Sequence, residues 1–465
     1  MEDKFKQKVR NLIEICDAKY ETYHNIEQAI KLIINSSYGS FGTSTFIFYN
    51  KLIAESITTT GKHMTLSAKA EIDKYFREKW VDDKELHDKL GVNLVSTSSP
   101  NISTVYAQTD SVYTSLYDAC MMTDFFSHKV WRNDAEYHCF VSQAKVKTKE
   151  DAVKFFNVDP EYIHEVEAEG YIFCLMMYEN HLKKFFCDLF DSIGERDGVE
   201  NVQSFEFESY AESGIWLGKN RYVQDIRWSD PDVVYEPFTK IKPTGIELAD
   251  MKTPDWCKKQ LKGFLKWIMS CKQEDLTQTN INNKISEIKK AFKLQQPKDI
   301  AWTVTLNVYD NYVIDDKENI KLRPKSSAST QGGAIYNYLL KKNNLENRFS
   351  RISSGDKCSF FYIKPISGVY VHKGVNKNDK ETKNSLFDDD DAKVDTTQDA
   401  NLSFSLESTE SFSIPIGVDL NKFPMVNIDY NKQFEAVLLS PINRFLVAMN
   451  FKPYDNNPVK KFSFF

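Results

Sequence analysis

The chain has 465 residues, of which 41% are hydrophobic, 27% charged and 13% aromatic, a globular composition too long for one small core and suited to two or three domains. No run of about 18 apolar residues marks a membrane span, and the N-terminus MEDKFKQKVRNLIEICDAKY has no apolar signal core, so export is not expected. The net charge of −6 argues by itself against a nucleic-acid partner, but the acidic stretch SLFDDDDAKVDTTQDANLSFSLESTE at 385–410 carries that excess and the rest is near neutral.

Residues 2–37 read as one helix, with apolar positions at Phe5, Val9, Leu12, Ile13 and Ile15 and again at Ile26, Ile30, Ile33 and Ile34. Near its end, KLIINSSYG spaces Lys31, Asn35 and Tyr38 four and three residues apart, which puts them on one face, and Gly39 is read as the terminator. A lysine there can meet a phosphate as a point charge. A tyrosine one turn on offers a flat surface to a base, and a glycine admits close backbone approach. A plainly solvated helix face is the alternative reading of the same pattern.

Residues 53–78 predict a second long helix. In NISTVYAQTDSVYTSL, β-branched and aromatic residues flank a polar QTDS, a hairpin pattern with Asp110 at or beside the turn. Residues 114–200 read as mixed helices and loops. Strand patterns return in FEFESYAESGIWLGKNRYVQDIRW. Alternation there sets Glu206 and Glu208 on one face, and separates Lys219 and Arg221 from Asn220 and Tyr222. KTPDWCKKQLKGFLKWIM opens a helix with Thr253 as N-cap and Pro254 at the first helical position. Another helix is expected at 278–294, followed by a mixed α/β stretch, the acidic segment as a mobile loop, a final helix near 430–449, and the tail NNPVKKFSFF. Cys16, Cys120, Cys139, Cys174, Cys187, Cys257, Cys271 and Cys358 form no CxxC pair, which disfavours a zinc ribbon and fits a reduced, cytosolic protein.

KLIINSSYG resembles the Lys-x-x-x-Asn-Ser-x-Tyr-Gly motif of family B DNA polymerases, of the type found in T-even-like bacteriophages. FIFYNKLIAESITTTGKHMTLSAKAEIDKYF continues the likeness. The resemblance implies a fingers helix that closes over the incoming nucleotide, with Lys31 on the triphosphate, Asn35 in the pocket, and Tyr38 with Gly39 at the nascent base pair. YAQTDSVY resembles the family's Tyr-Gly-Asp-Thr-Asp-Ser hairpin, which makes Asp110 the catalytic, metal-binding aspartate. Ala107 and Gln108 replace the glycine and the first aspartate, so one negative charge is lost beside the metals. Glu206 and Glu208 resemble acidic residues that neighbour the two Mg2+ ions. LGKNRYV resembles the primer-gripping Lys-Lys-Arg-Tyr motif, which implies DNA contacts by Lys219, Asn220, Arg221 and Tyr222, with Asn220 where the family has its second lysine. Lys240 and Lys242 are implied as further minor-groove or phosphate contacts. KKFSFF resembles a clamp-binding peptide anchored by Phe462, Phe464 and Phe465.

The fold so implied is α+β, a partial polymerase hand. It comprises the C-terminal part of the fingers (1–50), the C-terminal part of the palm with its antiparallel sheet (51–250), a mostly helical thumb (251–452) with an acidic insertion at 373–411, and a clamp-binding tail (453–465). The family's first palm motif, Asp-x-x-Ser-Leu-Tyr-Pro, is not found in the sequence, nor is the partner fingers helix or the exonuclease. One carboxylate cannot hold two ions. The expectation is therefore a DNA-directed DNA polymerase of two chains, inactive alone, completed by an N-terminal polymerase/exonuclease chain. Met1 favours independent translation over joining by protein splicing. The other expected partners are primer–template DNA, dNTP and a sliding clamp, with no membrane, in the cytoplasm of an infected bacterial host. The competing expectation is a non-catalytic module that holds duplex DNA and a clamp. Gln108 and Asn220 favour it; a retained nucleotide pocket does not.

Overall fold

The computed structural model describes residues 2–98, 104–108, 110–133, 139–142, 146, 148–230, 233–272, 274–306, 312–314, 320–322, 326–376 and 402–456. They form two compact units, one of Met1–Tyr210 with Trp228–Val234, the other of Ala211–Arg227 with Tyr235–Phe465. The class is α+β, with small sheets among helices.

The first unit begins with α1 (Glu2–Gly42). This helix does not stop at Gly39. The hydroxyls of Ser36, Ser37 and Thr43 donate to the carbonyls of Leu32, Ile33 and Gly39, so this serine-rich stretch stays helical instead of breaking it. Helix α2 (Lys51–Glu78) is capped by Asn50, whose Oδ1 accepts from Leu52 N at 3.1 Å and Ile53 N at 3.2 Å. Only its second half is buried, along Met64, Ala68, Ile72, Tyr75 and Phe76, at the three-to-four spacing of one helix face. Helix α3 (Lys84–Leu90) follows, then the hairpin β1 (Thr104–Gln108) and β2 (Ser111–Thr114), then the short α4 (Tyr117–Met121). The expected mixture of helices and loops after residue 114 omits a three-stranded antiparallel sheet. In it β3 (Lys129–Asn133) is flanked by β4 (Cys139–Ser142) and β5 (Ile163–Glu167), with α5 (Lys149–Phe156) against it. Its own small core of Trp131, Val146, Ala152 and Ile163 explains the miss. Each strand is short, and a capped polar helix separates two of them. Helix α6 (Gly170–Met177) is buried at every position from Tyr171 to Met177, as a helix apolar all round must be. It leads through a wide turn, Tyr178–Leu182, into α7 (Lys183–Asp197).

The second unit holds most of β6 (Ser209–Gly218) and of β7 (Arg221–Ser229), with β9 (Lys240–Thr244) paired to β7; the short β8 (Val233–Val234), paired to the last two residues of β7, belongs to the first unit. Helix α8 (Asp255–Ser270) starts one residue later than its sequence suggests: Pro254 is the N-cap, and Thr253 lies outside the helix, buried. Helices α9 (Gln278–Phe292), α10 (Pro297–Ile300), α12 and α13 enclose one core with α8, where α12 is Tyr430–Phe434 and α13 is Ser440–Ala448.

The stretch expected as a mostly helical thumb carries two small sheets beside its helices. A three-stranded sheet orders β10 (Trp302–Leu306), β13 (Asp356–Tyr362) and β16 (Ser411–Pro415). A four-stranded one orders β11 (Tyr312–Ile314), β12 (Ile320–Leu322), β14 (Tyr370–Asn376) and β15 (Leu402–Ser408). Helix α11 (Ala328–Lys342) lies on β16 so closely that a Cβ at Gly332 would come within 2.6 Å of Ser413 N. The acidic insertion expected at 373–411 is thus bounded by paired strands, with Tyr370 opposite Ser408 and Asn376 opposite Leu402. Its acidic middle, 377–401, lies outside the described residues. So does the tail from 457, with Phe462, Phe464 and Phe465. No helix among the described residues is long and apolar enough to cross a membrane.

Candidate functional site

Helix α1 presents Glu27, Lys31, Asn35 and Tyr38 along one face, all exposed. Lys31 Nζ sits 2.7 Å from Glu27 Oε1, an i,i+4 pair. The hydrogen bond to Glu27 holds Lys31 above the ordinary lysine range, and the Glu208 carboxylate adds to the effect. Tyr38 is 40% exposed, and nothing lies within 4 Å of a Cβ placed on Gly39, so this end of the face is open. Among its described side chains α1 buries none: Leu12, Ile15, Ile26, Ile30, Leu32, Ile33 and Ile34 are all exposed, as are Phe46, Ile47 and Phe48 in the loop that follows.

Asp110 is where the sequence puts it. Gln108 pairs with Ser111 across the hairpin, and Asp110 is exposed in the turn between them. Asp73 of α2 accepts a 2.7 Å bond from Thr104 N and fixes the base of the hairpin. The rings of Tyr106 and Tyr113 meet edge-on across it at 5.6 Å. Glu206 and Glu208 are not on a strand. They lie in the extended segment before β6. The expected alternation survives there outside a strand: the Phe205 ring packs against Phe186 and Phe190, Phe207 stacks on Trp228, and both glutamates are exposed.

Lys219 and Asn220 are not on opposite strand faces. They form the two-residue turn between β6 and β7, with Asn220 left-handed at φ 56°, as a tight hairpin requires. Arg221 and Tyr222 open β7. The register sets Tyr222 opposite Thr244, Gln224 opposite Lys242 and Ile226 opposite Lys240. Directly opposed residues share a face, so Tyr222, Lys240 and Lys242 line one side of this sheet, and Trp216 stacks on Tyr222. Lys240 also lies over the Tyr235 ring at 5.5 Å. Arg221 belongs to the other face. Its Nε donates to Gly245 O at 3.2 Å and its Nη2 to Glu247 Oε1 at 3.3 Å. Arg444 of α13 pairs with that same glutamate oxygen. Burial lowers the Arg444 pKa, and Glu247 opposes the shift. Beside them a cleft of about 1020 Å³ is lined by Leu217, Arg221, Asn443, Arg444, Tyr454 and Asp455.

Residues 4–125 match the family model of DNA polymerase family B. The match takes in α1, α2 and the β1–β2 hairpin, so the Lys31 face and Asp110 lie within a family B polymerase region. Members of that family are DNA-directed DNA polymerases, with DNA and dNTP as substrates. No curated protein sequence matches the chain.

Among the described residues no three His, Cys, Asp or Glu side chains are grouped to hold an ion, so Asp110, Glu206 and Glu208 are not assembled into one. Asp110 fits as a single exposed carboxylate ligand, and one such group does not hold two ions. Sequence reasoning missed Glu27, although its i−4 spacing from Lys31 was available as a signal. It also missed Asp73, Gly245, Glu247 and Arg444. Arg444 is 197 residues from Glu247, a separation that leaves no local pattern.

Proposed function

We propose that this chain is the C-terminal part of a replicative DNA polymerase of the T-even-like phage type, and that it works with a second polypeptide that completes the active site. The observation that carries this reading is the family B match over a helix whose charged and apolar faces are both uncovered. A 41-residue helix with so many exposed aliphatics is costly in water unless something packs on it. Residues 1–50 serve as fingers, 51–250 as palm, and 251–452 as thumb.

In this reading Lys31 neutralises the triphosphate as a point charge. Asn35 borders the nucleotide pocket, and Tyr38 with Gly39 gives the nascent base pair a flat, open surface. Asp110 contributes one ligand to two Mg2+ ions shared with the partner chain, and Glu206 and Glu208 are auxiliary acids. When bound, such ions activate the primer hydroxyl and stabilise the leaving pyrophosphate. Lys219, Asn220, Tyr222, Lys240 and Lys242 hold the primer–template duplex. Minor-groove acceptors are present in every correct pair, so donors there check pairing without reading sequence. Phe462, Phe464 and Phe465 dock on a sliding clamp. The setting is the cytoplasm of an infected bacterium.

Primer extension tests the proposal. The chain alone should not extend a primer, and the chain with the N-terminal half encoded in the same genome should. Asp110→Ala should lower extension by more than about 100-fold with duplex binding retained. A complex that forms yet never extends a primer would leave the non-catalytic DNA- and clamp-binding module as the better reading.

A further inference from the structure

We propose that Arg221 is a brace and not a DNA contact, and that Glu247 and Arg444 are positioning residues for the Lys219–Asn220 turn. The inference rests on reading that turn as part of the duplex grip, but its geometry is independent of that reading. One donor edge of Arg221 is turned inward, Nε to Gly245 O at 3.2 Å and Nη2 to Glu247 Oε1 at 3.3 Å. The strand register agrees: Arg221 is on the face away from Tyr222, Lys240 and Lys242.

The turn is supported from beneath at a second point. Gly245, two residues before Glu247, approaches Asn220 so closely that a Cβ would lie 1.9 Å from the Asn220 carbonyl oxygen. Arg444 brings a second guanidinium to the Glu247 oxygen that Arg221 uses. One carboxylate therefore ties α13, near the end of the chain, to the residue that follows the turn. Lys219 is exposed at the tip and Asn220 is held left-handed. A two-residue turn pinned on one side pivots only about its other strand. Fixing Arg221 thus fixes the line along which the Lys219 ammonium can reach. Charged groups in a partly buried cluster hold such geometry better than solvated ones, because water screens them less.

The salt dependence of duplex binding separates a brace from a contact. Each phosphate neutralised adds close to one unit to the slope of log K against log salt. Binding of the full chain to a fluorescent primer–template would be titrated between about 50 and 200 mM KCl. Lys219→Ala should weaken binding and lower the slope by about one. Arg221→Met should weaken binding about three- to tenfold with the slope unchanged. The pair Glu247→Gln/Arg444→Met removes one charge of each sign, keeps the net charge, and takes from Arg221 the carboxylate that holds it; it should behave like Arg221→Met. Arg444→Lys should bind like the unmodified chain. A loss of slope in Arg221→Met equal to that of Lys219→Ala would make Arg221 a phosphate contact and overturn the proposal. Unchanged affinity in both Arg221→Met and the double variant would also overturn it.

Amide hydrogen exchange gives a readout without DNA. The double variant should exchange faster at 219–222 while α8 keeps its protection; unchanged exchange at the turn refutes the brace. Failure of the unmodified chain to bind duplex would refute the grip reading instead, and the exchange result would still decide the brace.

Discussion

Gly245 is the residue with the least freedom in the grip. It sits at φ 57° and backs directly on the Asn220 carbonyl. Gly245→Ala adds left-handed strain to a steric overlap with backbone, which cannot rotate away. The expected cost is at least about 2 kcal/mol, read as a lowered denaturation midpoint; an unchanged midpoint would contradict the geometry. Asn220 shows how such a site disguises itself in sequence. Between Lys219 and Arg221 it reads as one more alternating strand residue. In the structure it makes the turn, because asparagine tolerates the left-handed region that most side chains avoid. Lys31 shows the opposite case. Its pairing with Glu27 follows from helical spacing alone.

At the scale of elements, the core of the first unit carries a pH liability. His87 of α3 is buried against Trp80, ring to ring at 4.6 Å. His181, in the turn before α7, packs its ring at a tilt against Tyr75 at 4.3 Å. Burial lowers both pKa values, with Asp83 opposing the shift on each; Lys89 and Lys79 lower His181 further. The unfolded chain then takes up protons at a higher pH than the folded one. Stability is fully present above the ordinary histidine value of about 6.5 and is lost as pH falls through the folded values. Urea denaturation of the first unit should therefore show a midpoint falling from pH 7.5 to 5.5, and His181→Phe should flatten that dependence. An equal slope in the variant would remove His181 from the account. The long helices were legible because periodicity and caps are local. The sheet of β3, β4 and β5 was not, because its strands are four or five residues long and their pairing spans a helix.

For the molecule as a whole, the uncovered face of α1 is the feature most in need of a partner. Replacing Ile26, Ile30 and Ile33 together with Gln should leave the denaturation midpoint close to that of the unmodified chain, since exposed substitutions usually shift stability by about 0.5 kcal/mol or less. The same change should reduce self-association of the chain alone and abolish its complex with the N-terminal half, as read by sedimentation velocity. A complex that persists would place the interface elsewhere. What the sequence by itself determined was local: the Lys31–Asn35–Tyr38 face, the Asp110 hairpin, and the alternation that sets Glu206 and Glu208 on one side. These depend on periods of 3.6 and 2 and on turn chemistry, all contained within a few residues. Only the tertiary structure decided that Lys219 and Asn220 are a turn, that two small sheets are built among the helices of 251–452, and that Arg221 faces inward. Those outcomes depend on pairings such as Arg444 with Glu247, whose partners are brought together by packing across distances at which the chain carries no pattern.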